Sequence, residues 1–238
     1  MAARDLSAPF RAAVDTYAMI GEGDRVAVGV SGGKDSVALL VLLAQLRRFY
    51  PHRFELTAIT LDPCFDGTAG DYTQITELCE RLDVPYILKR TKLWDAVQEH
   101  IGEENPCSLC ARLRRGTLHR VAKEAGCNTV ALGHHQDDAA ETVLMNLLSG
   151  ATIGCFSPKS YLDRSDITLI RPMIFLSEKE IDAFVKREGL PIIPSRCPVD
   201  GVTHRQQTKE LIAELSKTYG DVSKKITDAL QKGQISNW

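Results

Sequence analysis

The chain has 238 residues, of which 44% are hydrophobic and 25% are charged, the composition of an ordinary globular protein with a full core. Its formal net charge of −2 excludes a general attraction to nucleic acid, so any such contact requires a local basic patch. No apolar run reaches the roughly 18 residues of a membrane span, and residues 1–20 lack the pattern of a secretion signal. We therefore expect a cytoplasmic protein without a membrane partner, whose seven cysteines favour metal ligation or redox chemistry over disulfides.

Predicted strands and helices alternate along the sequence, after a first helix over residues 7–20. The predicted strands cover 26–30, 54–62, 84–90 and 128–134, followed by a less regular hairpin region at 155–173. The later predicted helices cover 35–49, about 70–82, 93–101, 110–126, about 137–148, 177–189, about 203–218 and about 221–232. This alternation predicts an α/β fold with a doubly wound, mostly parallel sheet, helices on both faces and further helices at the C-terminus. We interpret residues 1–238 as a single domain.

The first strand meets the next helix in a glycine turn, called here the phosphate loop: Ser31, Gly32, Gly33, Lys34, Asp35 and Ser36. The two glycines and the helix start leave backbone N–H groups uncovered, and the serine hydroxyls and the lysine charge also suit a phosphate. A plain turn capped by Ser31 is the alternative. The loop lacks the G-x-x-x-x-G-K-[ST] spacing of a Walker A motif. It resembles the PP-loop signature of the ATP pyrophosphatase superfamily, which implies cleavage of ATP to AMP and pyrophosphate.

Two more predicted strands end in residues that suit a nucleotide site. Asp62 ends the second strand and His134 the fourth, and parallel strands end at one edge of a sheet, so we expect both beside the phosphate loop. The resemblance implies nucleotide contacts at Leu61, Asp62, Gly133 and His134. Asp137 and Asp138 begin the next helix, where they can cap its N-terminus or bind Mg²⁺ beside phosphates. Asp35, inside the loop, is a further Mg²⁺ candidate.

Cys107 and Cys110 form a C-x-x-C at the predicted start of a helix. This position favours thiolate, the form that binds soft metals or attacks disulfides. Two cysteines cannot complete a four-coordinate site, and Cys197, in a proline-rich loop, is the best third ligand. Three interpretations stay open: a thioredoxin-like redox pair, a zinc site with His204 as fourth ligand, and an iron–sulfur cluster with three cysteine ligands. The predicted buried core thiols are Cys79 and Cys127.

Over about residues 20–215, the chain resembles the tRNA 2-thiocytidine biosynthesis proteins and, more distantly, their 2-thiouridine relatives. The matching segments are SGGKDS, PCSLCARLRRG, ALGHHQDDAAET, IRPM, PIIP followed by a cysteine, and the helix start HRQ. The resemblance implies a [4Fe-4S] cluster on Cys107, Cys110 and Cys197, whose open iron carries sulfide, and it implies a homodimer. The expected sulfur donor is a cysteine desulfurase or free sulfide. One departure is that the family usually has C-x-x-C after PIIP, whereas Ser195 takes the first place here and Cys197 lies one step off the second.

Basic residues crowd the helix after the cysteine pair: Arg112, Arg114, Arg115, His119 and Arg120. Such a face is commonly just solvated, but this one starts beside the expected cluster. Arg114 lies four residues after Cys110, where the thiouridine relatives carry a lysine thought to act in catalysis. We expect Arg112, Arg115 and the distant Arg171 to contact RNA phosphate. A surface salt bridge is the alternative for Arg171.

The sequence therefore predicts an enzyme that adenylates the C2 carbonyl of a pyrimidine in tRNA with ATP and then replaces the oxygen with sulfur. Lys34 and Mg²⁺ would neutralise phosphate charge during the transfer. The expected catalytic residues are Lys34, Asp35, Arg114, Asp137 and Asp138. One alternative keeps the ATP chemistry but thiolates or amidates a small molecule. Another is a module without catalysis that binds nucleotide and senses redox state through a cluster.

Overall fold

Six strands form one sheet in the part of the chain that the structure, a computed structural model, describes: residues 5–99, 106–197 and 204–238. The strands are β1 (Asp24–Gly29), β2 (Phe54–Asp62), β3 (Tyr86–Arg90), β4 (Thr129–Ala131), β5 (Lys159–Leu162) and β6 (Ile167–Ile170). Their order across the sheet is β3-β2-β1-β4-β6-β5. Neighbouring strands are parallel except β5 with β6. The predicted α/β fold with a mostly parallel sheet is confirmed, and the single-domain boundary at 1–238 stays a prediction.

The helices of the described residues are α1 (Ser7–Thr16), α2 (Lys34–Arg47), α3 (Thr73–Arg81), α4 (Leu93–Gln98), α5 (Pro106–Glu124), α6 (Gln136–Gly150), α7 (Glu178–Arg187), α8 (His204–Tyr219) and α9 (Val222–Lys232). Short 3-10 turns lie at Phe65–Gly67 and Ile235–Asn237. α1 ends before the predicted residue 20 because Ala18 has a positive φ of 44°, which a helix does not accept. Within the described ranges, none of the helices is both long and apolar enough to span a bilayer.

α2 fixes the position of the phosphate loop. Ten of its 14 residues are buried, because the helix packs against β1, β2, α1 and α7 at once. This explains why its sequence is apolar on all sides, a pattern that indicates a helix enclosed by its neighbours. The N-terminus of α2 is thereby held rigidly at the carboxyl end of β1.

α5 covers the opposite face of the sheet. Side chains of β1 alternate between the two faces, so that Val26 and Val28 pack on the α2 side and Ala27 on the α5 side. Leu118 of α5 lies so close to β1 that a Cβ on Gly29 would come within 3.0 Å of its Cδ2 atom. α5 runs into β4, which is parallel to β1. The first turns of α5 therefore lie at the carboxyl edge of the sheet, on the same side as the phosphate loop.

The strand order changes direction between β1 and β4. β1 is followed by β2 and β3 on one side, whereas β4, β6 and β5 lie on the other. Open parallel sheets bind their ligands at the carboxyl edge beside such a reversal. The phosphate loop follows β1 and residues 132–135 follow β4, so the fold brings these two predicted segments to one crevice. α8 and α9 pack on α6 at the side of this crevice.

Candidate active site

The phosphate loop is held closed by its own serine side chains. The Ser36 hydroxyl donates to the Gly33 carbonyl oxygen at 2.9 Å and accepts from the Ser31 N–H at 3.0 Å. Gly33 is the N-cap of α2 and has no side chain with which to cap the helix. The N–H groups at the start of α2 are therefore left for an external anion, the arrangement by which a helix N-terminus binds phosphate.

A distant segment of the chain docks on this loop. The Ile193 N–H donates to the Gly32 carbonyl oxygen at 2.9 Å. Gly32 has φ of +89°, and a Cβ placed on it would lie 2.9 Å from the Ile193 Cβ. Only glycine satisfies both the backbone angle and this close approach. Cys197 follows Ile193 by four residues, so it lies within about 14 Å of it even if the chain is fully extended.

Lys34 points to two carboxylates. Its Nζ donates to Asp35 Oδ1 at 2.8 Å and lies 3.1 Å from Glu178 Oε1. The other oxygen of Glu178 lies 2.6 Å from Lys209 Nζ, on α8. Burial alone would raise the pKa of Glu178, but the hydrogen bonds from Lys209 and Lys34 outweigh it and lower that pKa to about 2. Burial likewise opposes the charge of Lys34, and Asp35 and Glu178 raise the pKa of this lysine above its ordinary value.

The two carboxylates at the start of α6 hold the walls of the crevice together. Asp137 Oδ2 accepts from the Glu178 N–H at 2.7 Å, which joins α6 to α7. Asp138 Oδ2 accepts from the His135 N–H at 3.0 Å in a capping box. The prediction that Asp137 or Asp138 is the N-cap residue is wrong, because His135 is the N-cap and Asp138 caps the helix start from the third helical position. His135 Nε2 lies 3.4 Å from Asp138 Oδ2 and 3.9 Å from Asp35 Oδ1, and its Nδ1 lies 3.7 Å from Asp137 Oδ2. Three predicted Mg²⁺ candidates therefore surround one buried imidazole.

Magnesium binding by these carboxylates stays a prediction. In the described ranges, no three His, Cys, Asp or Glu side chains are grouped so as to hold a metal ion by themselves. Mg²⁺ commonly keeps several waters and takes only one or two carboxylates together with substrate phosphates. The arrangement of Asp35 and Asp138 is therefore compatible with an ion that arrives with the nucleotide.

The segment after β4 also touches the phosphate loop. A Cβ on Gly133 would lie 3.2 Å from the backbone C and O of Asp35, so this glycine permits the two loops to meet. The His134 ring packs against Phe156 with centroids 4.9 Å apart. Burial, with the nearby charge of Arg171, lowers the pKa of His134 to about 4. His134 is therefore neutral at pH 7.

Arg171 is buried, with 7% of its surface exposed. Its guanidinium lies over the Phe156 ring at 4.9 Å and donates to the Ser157 carbonyl oxygen. Burial lowers the pKa of Arg171 to about 10. The alternative of a surface salt bridge is therefore wrong, because the residue belongs to the interior; its contact with RNA stays a prediction.

At the end of β2, Asp62 organises the following loop. Its carboxylate accepts from the Cys64 N–H at 3.0 Å and from the Gly70 N–H at 2.9 Å. The side chain of Leu61 is 5% exposed and packs in the core on the α5 face. Contacts of Leu61 and Asp62 with a nucleotide stay predictions, and at Leu61 they would have to come from the backbone.

The cysteine site is described only in part, since the side chains of Cys107 and His204 lie outside the described residues. The backbone of Cys107 and the whole of Cys110 belong to the first turns of α5. Cys110 is half-buried and packs against the small core of Trp94, Val97 and Leu109. Cys197 is half-buried as well. The choice among a redox pair, zinc and an iron–sulfur cluster is not decided by these positions.

Electrostatic contacts nevertheless join the two cysteine segments to one loop. Burial and the charge of Asp62 raise the pKa of Tyr72, and the guanidinium charges of Arg114 and Arg196 oppose this rise. Arg196 Nη1 also donates to the Thr68 carbonyl oxygen at 3.3 Å. Arg114 lies one turn after Cys110, and Arg196 precedes Cys197. Both arginines therefore approach the loop after β2.

Three other cysteines, Cys79, Cys127 and Cys155, are unreactive thiols. Cys79 and Cys127 are buried, as predicted for core thiols, and burial raises both pKa values, that of Cys79 to about 11. Burial raises the pKa of Cys155 to about 12. Such thiols hold their protons at neutral pH and neither attack nor ligate readily.

The basic face predicted on α5 needs one correction. His119 is 8% exposed, and burial lowers its pKa, so it belongs to the inner side of the helix. Arg120 is exposed and pairs with Glu124 at 3.3 Å. Arg112 and Arg115 lie on exposed parts of α5, where their contact with RNA stays a prediction.

Sequence reasoning missed the cations of α8. Arg205 Nη1 lies 2.7 Å from Asp138 Oδ1 and 3.4 Å from Glu141 Oε2, and Lys209 binds Glu178. Burial raises the pKa of Glu141 to about 7. A cavity of about 330 Å³ lies behind these pairs, between α6, α8 and α9. The sequence predicted a helix here and a matching helix start HRQ, but neither assigned a role to Arg205 or Lys209.

Comparison with known proteins agrees with this geometry. The PP-loop domain family matches residues 7–194. The chain is 40% identical over 221 residues to the tRNA-cytidine(32) 2-sulfurtransferase of Pelobacter propionicus, covering 92% of this chain and 81% of the relative. It is 38% identical over 221 residues to the enzyme of the same name from Geobacter sulfurreducens, covering 92% and 85%.

Solved structures share the fold. The U34-tRNA thiolase NcsA from Methanococcus maripaludis, solved with its [4Fe-4S] cluster, superposes with a TM-score of 0.74 at 23% identity, over 95% of this chain and 78% of that one. An NAD⁺ synthetase from Burkholderia pseudomallei gives a TM-score of 0.51 at 16% identity, over 96% and 92%. At these identities the similarity shows only that the fold is shared. Membership of the family is shown by the sulfurtransferases that are 40% and 38% identical to this chain.

Proposed function

Because the chain belongs to the PP-loop family and, within it, to the tRNA-cytidine(32) 2-sulfurtransferases, we propose that it uses ATP to replace the C2 oxygen of a cytidine in tRNA with sulfur. The observation that carries this proposal is the docking of Ile193 on Gly32. It sets the segment that leads to Cys197 beside a loop built for phosphate, so that nucleotide and sulfur chemistry share one crevice.

ATP activates an oxygen that is otherwise a poor leaving group. The C2 carbonyl oxygen attacks the α-phosphorus, the bond from that phosphorus to the bridging oxygen breaks, and pyrophosphate leaves. The N–H groups at the start of α2 and the Lys34 ammonium receive the negative charge that develops on pyrophosphate. Sulfide, which brings the electron pair of the new bond, then bonds to C2, the C2–oxygen bond breaks, and AMP leaves with the oxygen.

The residues present fit a [4Fe-4S] cluster. Cys107 and Cys110 begin α5, where helix N–H groups favour thiolate, and Cys197 supplies the third ligand. A cluster held by these three cysteines would supply an iron that can carry the sulfide needed for the reaction. The nearby guanidinium of Arg114 favours negative charge on the reacting groups. We assign Mg²⁺ to Asp35 and to the carboxylates at the start of α6.

The acceptor is RNA, bound by a local patch rather than by overall charge. We assign contacts with tRNA phosphates to Arg112 and Arg115, which are exposed on α5, and Arg171 stays a third candidate. The target base has to leave its stack to reach the crevice. We propose a cysteine desulfurase or free sulfide as the sulfur donor. We further propose that the protein acts as a homodimer and that it works on tRNA in the cytoplasm.

Nucleoside mass spectrometry of tRNA from a deletion strain tests the proposal. We expect 2-thiocytidine to be absent and to return with the intact chain. Cys107→Ala should leave 2-thiocytidine absent and the purified protein without iron and acid-labile sulfide, while ATP still binds. Cys155→Ala, a thiol without a role in the site, is the matched control. If the nucleosides of the deletion strain are unchanged, and the purified protein releases pyrophosphate from ATP when a small acceptor is added, the small-molecule alternative would be supported instead.

A further inference from the structure

Glu178 is the first residue of α7 and accepts from two lysines on different parts of the chain. Lys34 of the phosphate loop reaches one oxygen at 3.1 Å, and Lys209 of α8 reaches the other at 2.6 Å. The Glu178 side chain is 28% exposed. Its backbone N–H is fixed to Asp137 at 2.7 Å. The backbone of Glu178 is therefore anchored, so its carboxylate can follow a moving lysine only as far as its side-chain torsions allow.

A triphosphate on the loop competes for Lys34. When the ammonium turns to a phosphate oxygen, it leaves Glu178, and a half-buried carboxylate without a cation is costly. Lys209 removes this cost because it stays on the other oxygen. Without Lys209, the only lysine on Glu178 among the described residues would be Lys34 itself, and the carboxylate would hold it back from ATP.

We propose that Lys209 is a positioning residue: by staying on Glu178, it allows Lys34 to pass from that carboxylate to the triphosphate of ATP. This proposal rests on the proposed function in that it takes ATP as the ligand of the phosphate loop. It does not depend on the acceptor or on the cluster.

α8 is built to keep Lys209 in place. Arg205, one turn earlier on the same helix, binds Asp138 at 2.7 Å and lies 3.4 Å from Glu141. Two cations of α8 thus meet carboxylates of α6 and α7, so the helix is held at two points. The low pKa of Glu178 agrees with a carboxylate that stays charged, which is what makes its second cation necessary.

The test is nucleotide affinity of the full chain with Lys209→Met. The probe is the non-hydrolysable analogue in which methylene replaces the oxygen between the α- and β-phosphorus, measured by calorimetry. Loss of one charge-assisted hydrogen bond corresponds to about 10-fold weaker binding. In pyrophosphate release, the KM for ATP should rise by the same factor while kcat stays within about twofold. Lys217→Met, on the same helix and paired only locally with Glu214, should match the unchanged protein, and Lys209→Arg should restore affinity.

Glu178→Gln supplies the decisive comparison. In that background the charge at residue 178 no longer holds Lys34, which keeps only its contact with Asp35, so Lys209→Met should add no further loss of affinity. The proposal is overturned if Lys209→Met leaves the affinity for the ATP analogue unchanged. It is also overturned if Lys209→Met weakens binding by the same factor whether residue 178 is Glu or Gln, which would mean that Lys209 contacts ATP directly. Melting curves verify folding, and Lys209→Gln replaces the Met variant if that one is unstable. Thiolation by the unchanged protein tests the proposed function separately.

Discussion

Gly32→Ala is the sharpest test of the contact between the phosphate loop and residues 191–194. Alanine at φ of +89° costs about 1 kcal/mol or more in backbone strain. Its Cβ would also lie 2.9 Å from the Ile193 Cβ, and overpacking of this kind costs about 1–3 kcal/mol. We therefore expect a loss of about 2–4 kcal/mol in the free energy of unfolding, with weaker nucleotide binding, because the loop and the docked segment must separate.

Two matched variants divide that loss into its parts. Gly23 has φ of +77° and open space around its Cβ position, so Gly23→Ala measures strain alone, about 1 kcal/mol. In an Ile193→Gly background the overlapping atom is gone, and Gly32→Ala should cost only the strain. Urea unfolding gives the free energies, and calorimetry with the ATP analogue gives the affinity. Equal losses for Gly32→Ala and Gly23→Ala would refute the docking of Ile193.

Three further predictions concern single side chains. Lys34→Met should lower the rate of pyrophosphate release about 100-fold or more in steady-state kinetics while the melting temperature stays within a few degrees, because its ammonium acts on developing charge; a normal rate would exclude this role. Arg114→Ala should abolish thiolation of tRNA but leave ATP binding intact, whereas Arg120→Ala, which removes an exposed partner of Glu124, should thiolate normally; equal activity of the two would contradict the role of Arg114. Glu141 has its pKa raised by burial from 4.5 to about 7, so the folded state keeps its proton longer and stability should fall as pH rises from about 4.5 to 7, by at most about 3 kcal/mol; Glu141→Gln should remove this fall in melting curves, and an identical pH profile would show that Glu141 titrates normally.

Local patterns in the sequence were enough to predict the sheet and the loop. Ser177 and Glu180 have the spacing of a capping box, and the structure forms that box at the start of α7. A glycine commonly ends a helix, and Gly126 has φ of +75° just after α5 ends at Glu124. Such signals depend only on neighbouring residues, which is why they can be recognised without a structure.

Contacts between distant segments could not be predicted in this way. Nothing in the sequence distinguishes Glu178 from other residues in the first turn of a helix. The structure shows that it faces Lys34 and Lys209. His119 stood among arginines in the sequence, yet the rotation of α5 against the sheet buries it. The burial and the partners of such residues depend on how a helix is rotated against the sheet and on which distant segments pack beside it. Neither can be inferred from a short stretch of sequence.

The helix that supplies Arg205 and Lys209 lies beyond residue 194, where the match to the PP-loop family ends. A polypeptide cut at that boundary would keep every residue of the phosphate loop but would leave three acidic side chains without these counter-charges: Asp138, Glu141 and Glu178. The counter-charges of these three carboxylates therefore come from a helix outside the residues that the family match covers.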